Sequence, residues 1–214
     1  MGILPNALVN YLLRLGFSYG DKEIFTWDEM VEYFSLERLN KAPAVFNPDK
    51  LIWVNAEHIK MMKPEELLEH LMEFLDKSCS EFSDEYLVEA IKTRQTKAQT
   101  LIELADEIRF YCVEPESYDE KGIKKFLKDS VREPLEYLYA KLEMADFKDE
   151  ESLKKAFEET IDKFGVKMVK LAQPVRIALT GKTVGPGIYE MLMVLGKEES
   201  LRRFRKLLDA VYSN

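Results

Sequence analysis

Cysteine, histidine and long apolar runs are nearly missing from this 214-residue sequence, and each scarcity removes a class of protein. There are two cysteines, Cys79 and Cys112, and two histidines, His58 and His70. The cysteines have no C-x-x-C spacing, which excludes zinc ribbons, redox dithiols and secreted disulfide scaffolds, so they read as buried core thiols in a reducing cytoplasm. The histidines fall on separate predicted helices without H-E-x-x-H or paired-ligand spacing, so no metal site is expected. No apolar run approaches the roughly 18 to 20 residues that cross a bilayer. The opening MGILPNALVNYLLRLG lacks a basic flank and a small-residue cleavage site, and Asn6 stands where a myristoylation signal requires Ser or Thr. A cytoplasmic protein, neither secreted nor membrane-spanning, is expected.

Phosphate-binding glycine motifs are also lacking. Thr180-Gly181-Lys182-Thr183 looks like the end of a P-loop, but Arg176 occupies the position that needs the first glycine, and no strand precedes it. Gly185-Pro186-Gly187 does not extend to G-x-G-x-x-G, because Glu190 takes the last place. G-x-S-x-G is absent. The carboxylate groups Glu65-Glu66, Asp149-Glu150-Glu151 and Glu158-Glu159 lie near helix starts or on exposed faces, where the macrodipole or solvent accounts for them.

What the sequence does have is helical punctuation. Leu8, Tyr11, Leu12 and Leu15 recur at one-turn spacing between Pro5 and Gly16. Thr26 to Glu29 and Thr100 to Glu103 are capping boxes, Asn47-Pro48 signals a helix start, Lys63-Pro64 opens a helix over 65–77, and Ser83 caps one reaching Ile91. Further helices are predicted over 119–130, 134–145 and 150–164. Pro174 is expected to break 166–180 into two short helices. Gly181 ends that pair, Pro186 opens the next helix and Gly196 closes it, and Leu201, Phe204, Leu208 and Val211 line the last. Two-residue alternation never persists, so the fold class is all-α, with boundaries near residues 62 and 112.

Charge is low overall and uneven. The net charge is −8, which argues against a general affinity for nucleic acid. Between Lys163 and Lys206, however, ten basic residues meet three acidic ones, and no acid lies between Asp162 and Glu190. Such a segment attracts a polyanion locally while the acidic remainder repels it, which favours one docking orientation. Lys121, Lys124, Lys125, Lys128 and Arg132 form one stripe on the predicted 119–130 helix and its extension, and Lys92, Arg94 and Lys97 lie in an acid-free stretch with Gln95, Thr96 and Gln99. Solvated helix faces explain either stripe equally well. Arg176, behind Pro174 in the apolar run from Ala172 to Leu179, is placed to present a planar fork to a base.

At these residues the sequence resembles a known family. Gly2 to Leu12 with Leu15-Gly16-Phe17-Ser18, Lys41-Ala42-Pro43-Ala44-Val45-Phe46 with Lys50 to Asn55, Thr100-Leu101 with Arg109-Phe110-Tyr111, and Gln173 to Thr183 with Pro186 and Leu195-Gly196-Lys197 are similar, in order, to the C-terminal portion of bacterial-type glutamyl-tRNA synthetases. The HIGH and KMSKS signatures of the adenylating Rossmann domain are absent.

The resemblance implies a stem-contact helical domain over 1–62 and two α-helical anticodon-binding subdomains over 63–112 and 113–214. It implies anticodon contacts by Arg176, Gly185, Pro186 and Ile188. The family commonly places arginine three residues before Thr-Leu to read the third anticodon base. Here Lys97 holds that place, keeping the charge without the fork, and Arg94 one turn earlier is the alternative cation. The implied partners are tRNA(Glu), with tRNA(Gln) a second candidate, and the catalytic domain of the same synthetase. No membrane or DNA partner and a monomeric state are expected. ATP and magnesium belong to the missing domain, so this chain is expected to bind tRNA and to catalyse nothing alone. Two competing expectations are a helical protein-interaction module and a complete enzyme.

Overall fold

The protein is described by a computed structural model over residues 1–40 and 44–212, so Lys41, Ala42 and Pro43 of the second motif, and the last two residues, lie outside the described residues. The chain is all-α: among the described residues only isolated bridges, Phe17 with Leu39 and Tyr19 with Lys22, interrupt the helices and loops. No helix among those residues is long and apolar enough to cross a membrane. Two compact units are formed, Met1–Arg109 and Phe110–Asn214.

The first unit holds α1 (Pro5–Gly16), α2 (Trp27–Tyr33), α3 (Pro48–Met61), α4 (Pro64–Leu71), α5 (Asp84–Lys92) and most of α6 (Leu101–Cys112). Local chemistry starts each of them. Thr26 accepts from the Glu29 amide at 3.3 Å while Glu29 accepts from the Thr26 amide at 2.9 Å, a closed capping box. Asn47 accepts from the Lys50 amide ahead of Pro48. In the box at α6, Thr100 accepts from the Glu103 amide, but Glu103 reaches one residue further back, to the Gln99 amide at 2.8 Å. Helix α4 stops at Leu71, short of the predicted 77. The Phe74 and Leu75 amides both return to the Leu71 carbonyl, and Asp76 caps a separate 3-10 turn over Lys77–Glu81.

Polar side chains, more than leucines, decide how α1 is seated. Its packed side is Leu4, Ala7, Asn10 and Tyr11, whereas Leu8 and Leu12 of the expected apolar face are exposed. Asn10 is fully buried and well partnered: its carbonyl oxygen accepts from the Phe25 amide and from His58 Nε2, both at 2.9 Å, and its amide donates to the Glu23 carbonyl. Asn55 on α3 ties the start of the chain to the start of α6, accepting from the Leu4 amide and donating to the Gly2 and Gln99 carbonyls. Gln95 donates at 2.7 Å to both Ile59 and Met62 carbonyls, fastening the turn after α5 to the end of α3. Buried amides bonded to several distant partners specify one arrangement.

The second unit holds α7 (Glu120–Phe126), α8 (Arg132–Met144), α9 (Glu150–Phe164), α10 (Val169–Thr180) and α11 (Ile188–Tyr212), the last broken at Gly196, whose φ is 76°. The expected 119–130 helix ends at Phe126, and a 3-10 turn over Asp129–Val131 intervenes, so the cationic stripe divides: Lys121, Lys124 and Lys125 share α7, Lys128 lies in the connection and Arg132 opens α8. Pro174 does not break α10. Only one turn precedes it, that turn winds partly through i to i+3 bonds, and the lost amide is offset by burial of Leu171, Val175, Ile177, Ala178 and Leu179.

No free cysteine remains among the described residues. Cys79 and Cys112 are both disulfide-bonded, which corrects their reading as core thiols. Their spacing along the chain carries no sign of bonding, which depends on distances in the fold.

His58 supplies a pH test. As Asn10 already accepts at its oxygen, the His58 Nε2 must carry a proton as donor in the neutral ring, and burial pushes its pKa below the usual 6.5. The unfolded chain then takes up the proton first as pH falls, so stability is complete above about pH 7 and declines below about 6.5. Urea melts between pH 7.5 and 5 should show this decline, and His58→Gln should flatten it.

Candidate nucleic-acid interface

The C-terminal end of α10 builds the most organised loop of the second unit. Gly181, at φ 75°, turns the chain out of the helix, where its amide reaches the Ile177 carbonyl. A side chain there would meet the Ser117 carbonyl at 2.6 Å, so glycine is needed for conformation and space alike. The single Thr180 hydroxyl proton lies between the Arg176 carbonyl at 2.9 Å and the Lys182 carbonyl at 3.1 Å, its oxygen accepts from the Lys182 amide, and the Asp119 amide donates to the Gly181 carbonyl at 2.8 Å.

Arg176 is half-buried. Its guanidinium donates to the Pro186 carbonyl, and Gly185 approaches the same nitrogen so closely that a Cβ would stand 3.3 Å away. The fork is therefore fixed against the loop. Three of the four residues assigned to this loop, Arg176, Gly185 and Pro186, do meet. Pro186 itself is buried, and Ile188 is turned into the core, so neither side chain forms surface. The outer surface of the loop is made by Lys182 and by Val184, which is 76% exposed. Gly187 receives the Glu190 carboxylate on its amide at 3.0 Å, half of a capping box for α11.

Lys97 and Arg94 belong to the first unit. Lys97 is exposed in the turn after α5 and lines a groove of about 490 Å³ with Trp53, Lys60 and Gln99. Arg94 offers both edges of its fork to Glu107, with Nε to the carboxylate at 2.6 Å. Its fork is engaged within the protein, and Lys97 is the outward cation of the two.

The basic C-terminal segment is less cationic than its composition suggests. Arg203 is 2% exposed and donates to the Leu179 and Phe110 carbonyls while pairing with Glu199. Arg202 pairs with Glu199 and Glu114, Lys206 with Glu114, and Arg205 with Glu136. The Lys206 ammonium first, with Arg202 beside it, holds the Glu114 carboxyl below the usual range, and Arg202, then Arg203, does the same for Glu199. Four of the ten segment cations are thus engaged by carboxylates. The sequence reading missed this, and it missed Gly122 in the middle of α7. A side chain at Gly122 would run into Thr183 at 2.6 Å and Ile177 at 3.0 Å, so α7 is pressed onto the Arg176 helix and its loop. An isolated glycine inside a helical pattern was the available signal.

The anticodon-binding domain family matches residues 66–208. The chain belongs to that family. Glutamate–tRNA ligases are similar over nearly all of it: that of Syntrophobacter fumaroxidans is 46% identical over 209 residues, covering 97% of this chain and 45% of the relative. That of Geotalea uraniireducens is 45% identical over 213 residues, covering 99% and 45%. A crystal structure of a glutamate tRNA ligase from Elizabethkingia meningosepticum superimposes with a TM-score of 0.87 at 30% identity, over 98% of this chain and 42% of that one. The chain therefore spans less than half the length of these relatives, and it corresponds to their C-terminal portion.

Arg203 should behave as a structural residue of the anticodon-binding domain. Arg203→Met leaves the Leu179 and Phe110 carbonyls without this donor and Glu199 with Arg202 alone, and should cost about 3 kcal/mol in urea unfolding. The exposed Arg202→Gln should stay within about 1 kcal/mol of wild type.

Proposed function

We propose that the chain binds tRNA and reads its anticodon, with Arg176 as the principal base-reading residue. The supporting observation is the Arg176 guanidinium, fixed by the Pro186 carbonyl in a loop whose glycines leave room for close approach. A fork held in advance loses little entropy on forming paired hydrogen bonds with a base edge. Unpaired anticodon bases expose the edges that such a fork recognises. Lys97 is the proposed contact to the third anticodon base, and the Gly185 backbone lies beside the fork. Pro186 and Ile188 support the loop from beneath.

The reading extends to tRNA(Glu) as the cognate partner, and to a parent reaction in which glutamate is joined to tRNA with ATP and magnesium, on a catalytic portion outside this chain. Exposed apolar side chains favour such a neighbour. They crowd the first 46 residues, where Leu12 is 53% and Val31 67% exposed, and are sparse in the second unit. Helix α1 is apolar on both sides, a pattern suited to burial between two partners. Division of the first unit near residue 62, a monomeric state and a cytoplasmic setting complete the proposal.

Filter binding at fixed salt tests the assignment. Arg176→Ala should weaken binding of tRNA(Glu) by about 1 to 3 kcal/mol and reduce discrimination against anticodon-substituted tRNA. Equal affinities for wild type and variant would overturn the role of Arg176. A charging assay with this polypeptide alone should yield no glutamyl-tRNA.

A further inference from the structure

Helix α7 carries cations that the rest of the second unit does not neutralise. Lys121 and Lys125 have no carboxylate partner among the described residues, and Lys124 has only Glu120 at 4.0 Å, with both side chains at least 80% exposed. Lys128 continues the run, and no acid lies between Lys121 and Lys128. This contrasts with Arg202, Arg203, Arg205 and Lys206, all committed to glutamates. Phe126 joins the two basic elements, with Lys125 Nζ 5.0 Å and Lys170 Nζ, from α10, 6.0 Å from its ring.

The helix is also held in fixed relation to Arg176. Gly122 lets it touch Ile177 and Thr183, the Asp119 amide bonds the Gly181 carbonyl, and Thr183 donates to the Asp119 carboxylate at 3.4 Å. Beyond its far end, Tyr212 donates to the Lys128 carbonyl at 3.1 Å. A row of exposed ammonium groups, with one loose ion pair from Lys124 to Glu120, rigidly attached to a base-reading loop has the form of a backbone grip, because phosphates flank every base that the loop can read.

We infer that α7, through Lys121, Lys124 and Lys125, binds the phosphates of the RNA strand whose bases meet Arg176, and so sets the register in which they are presented. The inference rests on the tRNA-binding reading and deepens it. The two make different demands on measurement. Phosphate contacts release counterions and are blind to sequence, whereas a base contact alters discrimination and leaves the salt dependence nearly intact.

The experiment measures tRNA(Glu) binding by the full chain between 50 and 300 mM salt, for wild type, for Lys121→Gln/Lys124→Gln/Lys125→Gln, and for Arg176→Ala. Lys148→Gln/Lys154→Gln/Lys155→Gln serves as a triple of equal charge change located elsewhere. The α7 triple should lower the slope of log affinity against log salt by about 2 and weaken binding on the order of 100-fold at 0.1 M salt, from about 0.7 counterion per contact on single-stranded RNA. Its preference for the cognate over an anticodon-substituted tRNA should stay as in wild type. An unchanged slope in the α7 triple, or an equal drop in the control triple, would overturn the inference while leaving the Arg176 reading intact. Absence of tRNA binding by wild type would overturn both.

Discussion

Backbone carbonyls at the end of α10 must find donors, and the second unit is organised around supplying them. A helix leaves its last carbonyls without intrahelical partners, and buried ones are costly if unpaired. Here Gly181 returns its amide to Ile177, the Thr180 hydroxyl is shared between the Arg176 and Lys182 carbonyls, Arg203 covers Leu179, and Asp119 covers Gly181. Arg176 then covers Pro186. The side chain with the strongest claim to base reading is thus also a member of the network that shapes its own loop. In the proposed reading, rigidity and recognition share the same bonds.

The same unit sorts its cations by neighbourhood. Arg202, Arg203, Arg205 and Lys206 of α11 face Glu114, Glu136 and Glu199 and serve packing, while Lys125 of α7 and Lys170 of α10 meet the Phe126 ring, and Lys124 has only an exposed Glu120. Composition cannot make this distinction, because a lysine beside a glutamate in space is counted like one beside water. An acidic protein can therefore hold a localised anion-attracting face, and the surrounding negative charge helps confine a polyanion to it.

Helix starts were legible because caps are local. Thr26, Asn47, Ser83 and Asp119 each satisfy amides within three residues, and Gly181, read as a helix end, closes α10 in the left-handed conformation. The failures were non-local. The apolar side of α1 was misread because Asn10 is drawn inward by partners at Glu23, Phe25 and His58. Pro174 was given too much weight because the burial compensating it comes from other helices. At the candidate site, Arg176, Gly185 and Pro186 could be named from a motif, but Gly122 and Asp119 lie more than fifty residues away, and only folding brings them to the loop.

Gly196 gives α11 two independent halves. The stretch from Ile188 to Leu195 underlies the Arg176 loop, whereas that from Lys197 onward carries the arginines anchored to glutamates. A straight helix would transmit any rotation of one half to the other. With the chain swivelled at a left-handed glycine, the half under the loop can drift in sequence, and the loop with it, without prising apart the ionic clasp at the far end.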